Sequence, residues 1–305
     1  MPKLSSDLAI RAFVFSIMAS IVCVDLSAQI SEQAAAGPTH RVGDNRTDPG
    51  FKKTPNKYGP TPPTTETEPR APIDKALDVA KDGLNHIRTD VRDYSATMIK
   101  RERINGVVGD AEFIKIKIRN RRQAEGVPLS IYMKFMKPSS MKGREVIWVD
   151  GRNNGKLTAH EGTGVLKHIT ASLDPEGSMA MKGNRYPIYE AGIENLVFRL
   201  IEKGERDKEI GDAEVKFYEN IKINGRKCTL IQVKHPESRP EYDFHICRVF
   251  IDQELNVPIR YSAYDWPTEA GGKPALMEEY TYLNMKLNVG LSDLDFDIKN
   301  SDYNF

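Results

Sequence analysis

The chain contains 305 residues, of which 39% are hydrophobic and 29% are charged. That apolar fraction is sufficient to build a buried core. The 44 Lys and Arg side chains are balanced by 43 Asp and Glu side chains. This balance excludes a general nucleic-acid-binding protein, which carries a strong basic excess.

The first 28 residues have the pattern of a secretory signal peptide. Lys3 and Arg11 precede the apolar run AFVFSIMASIVCV at residues 12–24, and a pair of small residues ends at Ala28. The run is shorter than the roughly 20 apolar residues that span a bilayer. We therefore predict an exported protein, periplasmic or extracellular, whose mature chain begins near Gln29. An uncleaved N-terminal anchor is the alternative.

The remainder divides into a linker and one domain. Residues 29–71 are rich in Pro and Thr and have no apolar periodicity, so we predict a disordered linker there. Residues 72–305 have no internal repeat, and their length of roughly 230 residues is one that a single domain fills.

The domain is predicted to open with a helix and to continue as strands. Pro72 is a favourable first helical residue, and apolar residues recur at helical spacing over residues 73–91. Period-two alternation then predicts antiparallel strands with one buried face, at residues 94–104, 112–119, 129–136, 145–150 and 156–160.

The second half of the domain begins with a stretch that lacks periodicity. Residues 162–189 are predicted as a long irregular loop, a feature that is often functional in compact domains. A second helix is predicted from Ile193. The order of all the elements predicts an α+β protein in which an antiparallel sheet carries two helices on one face. The remaining strands are predicted at residues 215–223, 227–235, 245–251, 258–264 and 276–289.

Two cysteines, Cys228 and Cys247, remain in the predicted mature chain. Each lies in a strand-like run, so a hairpin of the two runs makes a cross-strand disulfide possible in an oxidising compartment. Two buried free thiols are the alternative, and the strand register decides between them.

The polar residues do not form a recognisable catalytic motif. The sequence has no HExxH, CxxC, GxSxG or Walker motif, and we expect neither a cofactor nor a metal ion. The one catalytic hypothesis is a hydrolase that uses His160, Glu161 and His168, which lie close in sequence. With Asp174, the same residues are the candidate metal ligands.

Three segments resemble known exported proteins. The segment VFIDQELNVPIR at residues 249–260 and the segment LSDLDF at residues 291–296 resemble the LolA/LolB/RseB-like superfamily. The last six residues, NSDYNF at 300–305, resemble more closely a domain-of-unknown-function family of exported planctomycete proteins. The resemblance implies a curved antiparallel sheet, an incomplete barrel, with helices packed on its concave face. It also implies a cavity, which in the carrier members holds acyl chains of lipoproteins.

The candidate ligand-binding residues are Met98, Ile131, Met133 and Trp148, which alternation places on one face of the strands. Methionine adapts to irregular apolar ligands, and Trp148 is placed near the cavity mouth. We predict a non-catalytic protein of the cell envelope that carries or senses a lipid or lipoprotein acyl chain. A protein-interaction module without a lipid ligand, with an envelope protein as partner, is the alternative.

Overall fold

A computed structural model describes residues 71–165, 167–269 and 271–305. The predicted signal peptide at residues 1–28 and all but the last residue of the predicted linker lie outside the described residues. The helices are α1 (Pro72–Asp90), α2 (Ser178–Met181) and α3 (Ile193–Ile210). The strands are β1 (Asp93–Ile104), β2 (Val107–Val108), β3 (Glu112–Arg119), β4 (Ser130–Lys137), β5 (Glu145–Val149), β6 (Leu157–His160), β7 (Thr170–Leu173), β8 (Glu214–Ile223), β9 (Arg226–Lys234), β10 (Ile246–Asp252), β11 (Pro258–Asp265) and β12 (Ala275–Leu287).

All twelve strands belong to one antiparallel sheet. Its order is β7-β6-β5-β4-β3-β1-β12-β11-β10-β9-β8, and β2 pairs with β1 beside this path. Seven strand spacings separate β7 from β11, which is about 34 Å in a flat sheet. Leu173 of β7 and Tyr261 of β11 nevertheless line one cavity. The sheet is therefore curved, and it stays open because β7 and β8 do not pair with each other among the described residues.

Side chains alternate between an inner face, which packs on α1 and α3, and an outer face. Both long helices are amphipathic and bury their apolar stripes, as helix stability in proteins requires. The buried residues of α1 are Leu77, Leu84 and Ile87. Leu196 and Leu200 of α3 pack on an inner-face cluster of Phe244, Cys247, Tyr261 and Ala263.

The start of α3 is held against the first strand. The main-chain N–H of Ile193 donates a hydrogen bond of 3.0 Å to the Tyr94 hydroxyl. Gly192 precedes it with φ of +115°, and a Cβ atom there would lie 3.1 Å from the same hydroxyl. Glycine is needed at this position for both reasons. The contact places α3 over the middle of the sheet.

The C-terminal segment covers part of the outer face. Phe296 joins a buried cluster with Tyr132 and other outer-face residues, and the Tyr303 ring stacks on the Tyr132 ring at 4.1 Å between centroids. Glu145 is fully buried beneath this segment, where Lys134 at 2.7 Å and Asn304 Nδ2 at 2.7 Å contact its carboxylate. The tail is therefore part of the folded domain.

The predicted fold class, a curved antiparallel sheet with helices on its concave face, is confirmed. Both predicted helices and the predicted strands are present, with ends that differ by a few residues. The predicted irregular loop at residues 162–189 contains β7, α2 and a 3-10 turn that periodicity did not reveal. Each of these three elements has only three or four residues, which gives little periodicity to detect.

Strand register decides between the disulfide and the two free thiols that the sequence left open, in favour of free thiols. The two runs do pair as β9 and β10, but Cys228 lies opposite Asp252 and Cys247 lies opposite Val233. This offset of an odd number of residues puts Cys247 on the inner face and Cys228 on the outer face. Both cysteines are free and buried.

Candidate functional site

A cavity of about 620 Å³ lies between the inner face of the sheet and the segment that joins β7 to α3. We name residues 174–192 the covering segment. It contains α2 and a 3-10 turn at Ile188–Glu190, and Pro175 is its only buried residue before Gly192. Ligand-binding pockets typically measure about 300–1,000 Å³, so this cavity is large enough to enclose an organic ligand.

The wall formed by β3 to β7 is mainly apolar. Strand alternation directs every second side chain of these strands to the inner face, and part of this set lines the cavity. Met179 and Ile188 line it from the covering segment. A wall of this kind suits the apolar part of a ligand. The apolar lining residues of these five strands are Ile114, Met133, Phe135, Val146, Leu157, Ala159 and Leu173.

The end of the cavity formed by β1 and β12 is charged, and we name it the polar end. Glu102 of β1 lies directly opposite Glu278 of β12, and Lys100 lies opposite Tyr280. Like charges on directly opposed residues destabilise a sheet. The side chains of the two glutamates are only 6% and 7% exposed, so solvent screens their repulsion weakly. Both members of this opposed pair line the cavity.

Two cations neutralise part of the polar end. The Lys100 ammonium lies 3.4 Å from Glu102 Oε2 and 3.4 Å from Glu112 Oε2. Arg185 of the covering segment lies 3.0 Å from Glu278 through its Nε, and its main-chain N–H donates to Glu102 at 3.0 Å. The Arg185 Nε is at ion-pair distance but is not aligned for a hydrogen bond. These contacts fasten the covering segment to the sheet.

Tyrosines complete the polar end. The Tyr280 hydroxyl donates to Glu102 Oε1 at 2.5 Å, and the Tyr261 hydroxyl donates to Glu278 Oε1 at 3.0 Å. Burial and the two glutamates raise the pKa of Tyr280, so it remains a neutral donor. Burial also raises the pKa of Glu112, against the opposing effect of Lys100.

The structure separates the four predicted ligand-binding residues into two groups. Met98 and Met133 line the cavity. Ile131 and Trp148 lie on the same face of the sheet, opposite each other on β4 and β5, but they are not lining residues. The Trp148 ring lies 5.9 Å from the ring of Tyr189, which does line the cavity. Trp148 is therefore one layer behind the wall.

The charged residues of the polar end were not among the ligand-binding residues predicted from the sequence. A signal for two of them is present, because alternation from Tyr94 and Met98 places Lys100 and Glu102 on the same inward face of β1. Charged residues at inward positions of an otherwise apolar strand are typical of a site. The partner Glu278 is 176 positions beyond Glu102 in sequence, so the sequence does not show that the two meet.

The structure does not bring together the side chains that the hydrolase hypothesis requires. His160 points to the outer face, where its Nδ1 lies 3.0 Å from Thr170 Oγ1 and its ring lies 6.5 Å from that of His168. Glu161 lines the cavity on the inner face and pairs with Arg144 at 2.9 Å. The two residues are therefore on opposite sides of the sheet. Within the described ranges, no group of three or more His, Cys, Asp or Glu side chains is arranged to hold a metal ion.

Comparison with solved structures finds similar folds at low sequence identity. A DUF1329 family protein from Desulfovibrio piger has a TM-score of 0.36 at 10% identity, with 75% of this chain and 98% of that chain covered. The Pseudomonas aeruginosa MucA/MucB complex has a TM-score of 0.42 at 11% identity, over 73% and 60%. A LolA superfamily protein from Nitrosomonas europaea has a TM-score of 0.29 at 11% identity, over 72% and 97%.

No curated protein matches the chain. Among the residues that the structure describes, no helix is both long and apolar enough to cross a membrane. The model of one family, described as "Protein of unknown function (DUF1571)", matches residues 91–305. Because this match covers more than half of the sequence, including β1 to β12 and the polar end, the chain belongs to the DUF1571 family.

Proposed function

We propose that this chain is an exported, non-catalytic binding protein of the cell envelope that encloses an acyl chain of a lipid or lipoprotein in its inner-face cavity. The observation that carries the proposal is the cavity of about 620 Å³ with its mainly apolar wall. An acyl chain gains about 0.8 kcal/mol for each methylene group that it buries. The signal-peptide pattern at residues 1–28 supports export.

The proposal is tested on protein purified from a bacterial envelope fraction. Mass spectrometry of an organic extract should find acyl chains in an amount comparable to that of the protein. N-terminal sequencing of the same sample should find a chain that begins near Gln29. A lipid-free extract together with a retained Met1 contradicts both parts of the proposal.

Direct binding is measured with the uncharged fluorescent probe N-phenyl-1-naphthylamine. Ala159→Phe adds a ring inside the cavity, because Ala159 is a lining residue, and it should lower uptake of the probe severalfold. Val107→Phe is the matched control, since Val107 lies on β2 and is 71% exposed. Equal uptake by the two variants and the wild-type protein contradicts binding in this cavity.

A second candidate function is a protein-interaction module that holds no lipid, with an envelope protein as partner. It is supported by three exposed apolar side chains within ten residues of the C-terminal segment, where Val289, Leu294 and Ile298 are 41%, 56% and 47% exposed. Exposed apolar surface of this kind is a feature of docking sites. A lipid-free extract and absence of probe uptake favour this candidate over the first.

A further inference from the structure

The charges at the polar end do not balance. Two carboxylates line it, those of Glu102 and Glu278, and a third, that of Glu112, contacts Lys100 without lining the cavity. These three carboxylates face two cations, those of Lys100 and Arg185. One negative charge is therefore in excess at the end of the cavity. Four of the five side chains are less than 17% exposed, and charges in such surroundings interact strongly.

The two cations are already committed to acceptors of the chain. The Lys100 ammonium donates to Glu102 and to the Asn184 amide oxygen, the latter at 2.5 Å, and it lies at an ion-pair distance of 3.4 Å from Glu112. Arg185 faces Glu278 and donates from Nη1 to the main-chain oxygen of Arg103 at 3.2 Å. An anion at this end would compete with these carboxylates for donors and would add a like charge beside them.

Other lining cations do not alter this balance. Arg144 pairs with Glu161 at 2.9 Å, Arg199 pairs with Glu190 at 2.8 Å, and Lys203 pairs with Asp243 at 2.7 Å. Lys182 also lines the cavity, but its side chain is exposed and therefore screened by solvent. The polar end thus offers excess acceptors and negative charge to a ligand.

We infer that the cavity selects an amphiphile whose polar end is a hydrogen-bond donor without negative charge, an ammonium or hydroxyl group, over one that ends in a carboxylate or phosphate. The inference rests on the proposed function, because it assigns the end group of the ligand whose acyl chain lies against the apolar wall. An ammonium or hydroxyl group at this end donates to the opposed carboxylates of Glu102 and Glu278 and relieves their repulsion.

The test compares four ligands that share one dodecyl chain and differ in the end group: dodecylamine, dodecanol, dodecanoate and dodecyl phosphate. Each displaces N-phenyl-1-naphthylamine from the wild-type protein, below its micelle concentration and at neutral pH. The amine and the alcohol should bind at least about tenfold more tightly than the two anions, the factor that one charge-assisted hydrogen bond represents.

Three variants test whether the polar end causes the preference for the amine over the carboxylate. Glu278→Gln removes the excess charge and should reduce the ratio of amine to carboxylate affinity severalfold. Glu279→Gln is the matched control, because Glu279 is the next residue on β12, points to the outer face and pairs with Arg260. This control should leave the ratio unchanged. Glu102→Gln is a second test that should act like Glu278→Gln.

The outcomes separate the two proposals. Binding of none of the four ligands contradicts the acyl-chain function and the selectivity together. Binding of all four with equal affinity, or tighter binding of the anions, leaves the function in place and overturns the selectivity. Because the wild-type ratio alone decides between these results, the test holds even if a glutamine variant fails to fold.

Discussion

The space around Met133 can be tested by adding the same large side chain at two positions of β4. Met133 and Ile131 point to the same face of this strand, two residues apart, but only Met133 lines the cavity. Met133→Trp should leave the free energy of unfolding within about 0.5 kcal/mol of the wild-type value, because the added ring enters empty space. Ile131→Trp must displace packed atoms, since Ile131 is fully buried, and overpacking of a core costs about 1–3 kcal/mol.

For a domain of this size, the loss expected for Ile131→Trp lowers the melting temperature by about 2–12 °C. Urea unfolding followed by circular dichroism measures both variants, and uptake of N-phenyl-1-naphthylamine measures the cavity. Met133→Trp should reduce uptake severalfold, whereas Ile131→Trp should retain uptake per folded molecule. Equal destabilisation of the two variants would show that Met133 belongs to an ordinary core. Full uptake by a stable Met133→Trp protein would place the probe elsewhere.

Three further results are expected. Gly162→Ala should lower the free energy of unfolding in urea by about 2–4 kcal/mol, because the added Cβ would overlap the backbone of Gly143. Gly83→Ala is the control and should be neutral or stabilising, because the added Cβ at this helical position meets no other atom. Burial alone lowers the pKa of His235, but Asp207 and a main-chain carbonyl outweigh burial and raise it. The stabilisation by the pair of Asp207 and His235 is therefore complete below the unfolded pKa of about 6.5 and is lost as the pH rises through the folded pKa. In Asp207→Asn, the free energy of unfolding should no longer show this loss as the pH rises. Cys228 and Cys247 are buried, and burial raises the pKa of both thiols. Ellman's reagent should therefore detect no thiol in the native mature protein and two thiols after unfolding. Rapid reaction of the native protein would contradict this packing.

Local patterns in the sequence determine most of the secondary structure. The helix predicted from Pro72 and the strand predicted at residues 112–119 are present, because each depends on which neighbouring residues face the core. The same alternation correctly places Met98 and Met133 on one face. It does not predict β7 and α2, which have only four residues each. The role of the predicted site residues in binding stays a prediction.

Only the tertiary structure decides which side chains of neighbouring strands contact each other. Register separates Cys228 from Cys247, although their strands are neighbours, because a shift of one residue moves a side chain to the other face. Chain topology brings Glu102 beside Glu278, since β1 in the middle of the sheet pairs with the last strand. The folded sheet places Met133 at the cavity and buries Ile131 completely. By itself, the sequence therefore determined the elements and the face that each side chain occupies, through local periodicity. The cavity and its charged end arise from pairing between distant strands, which no local pattern encodes.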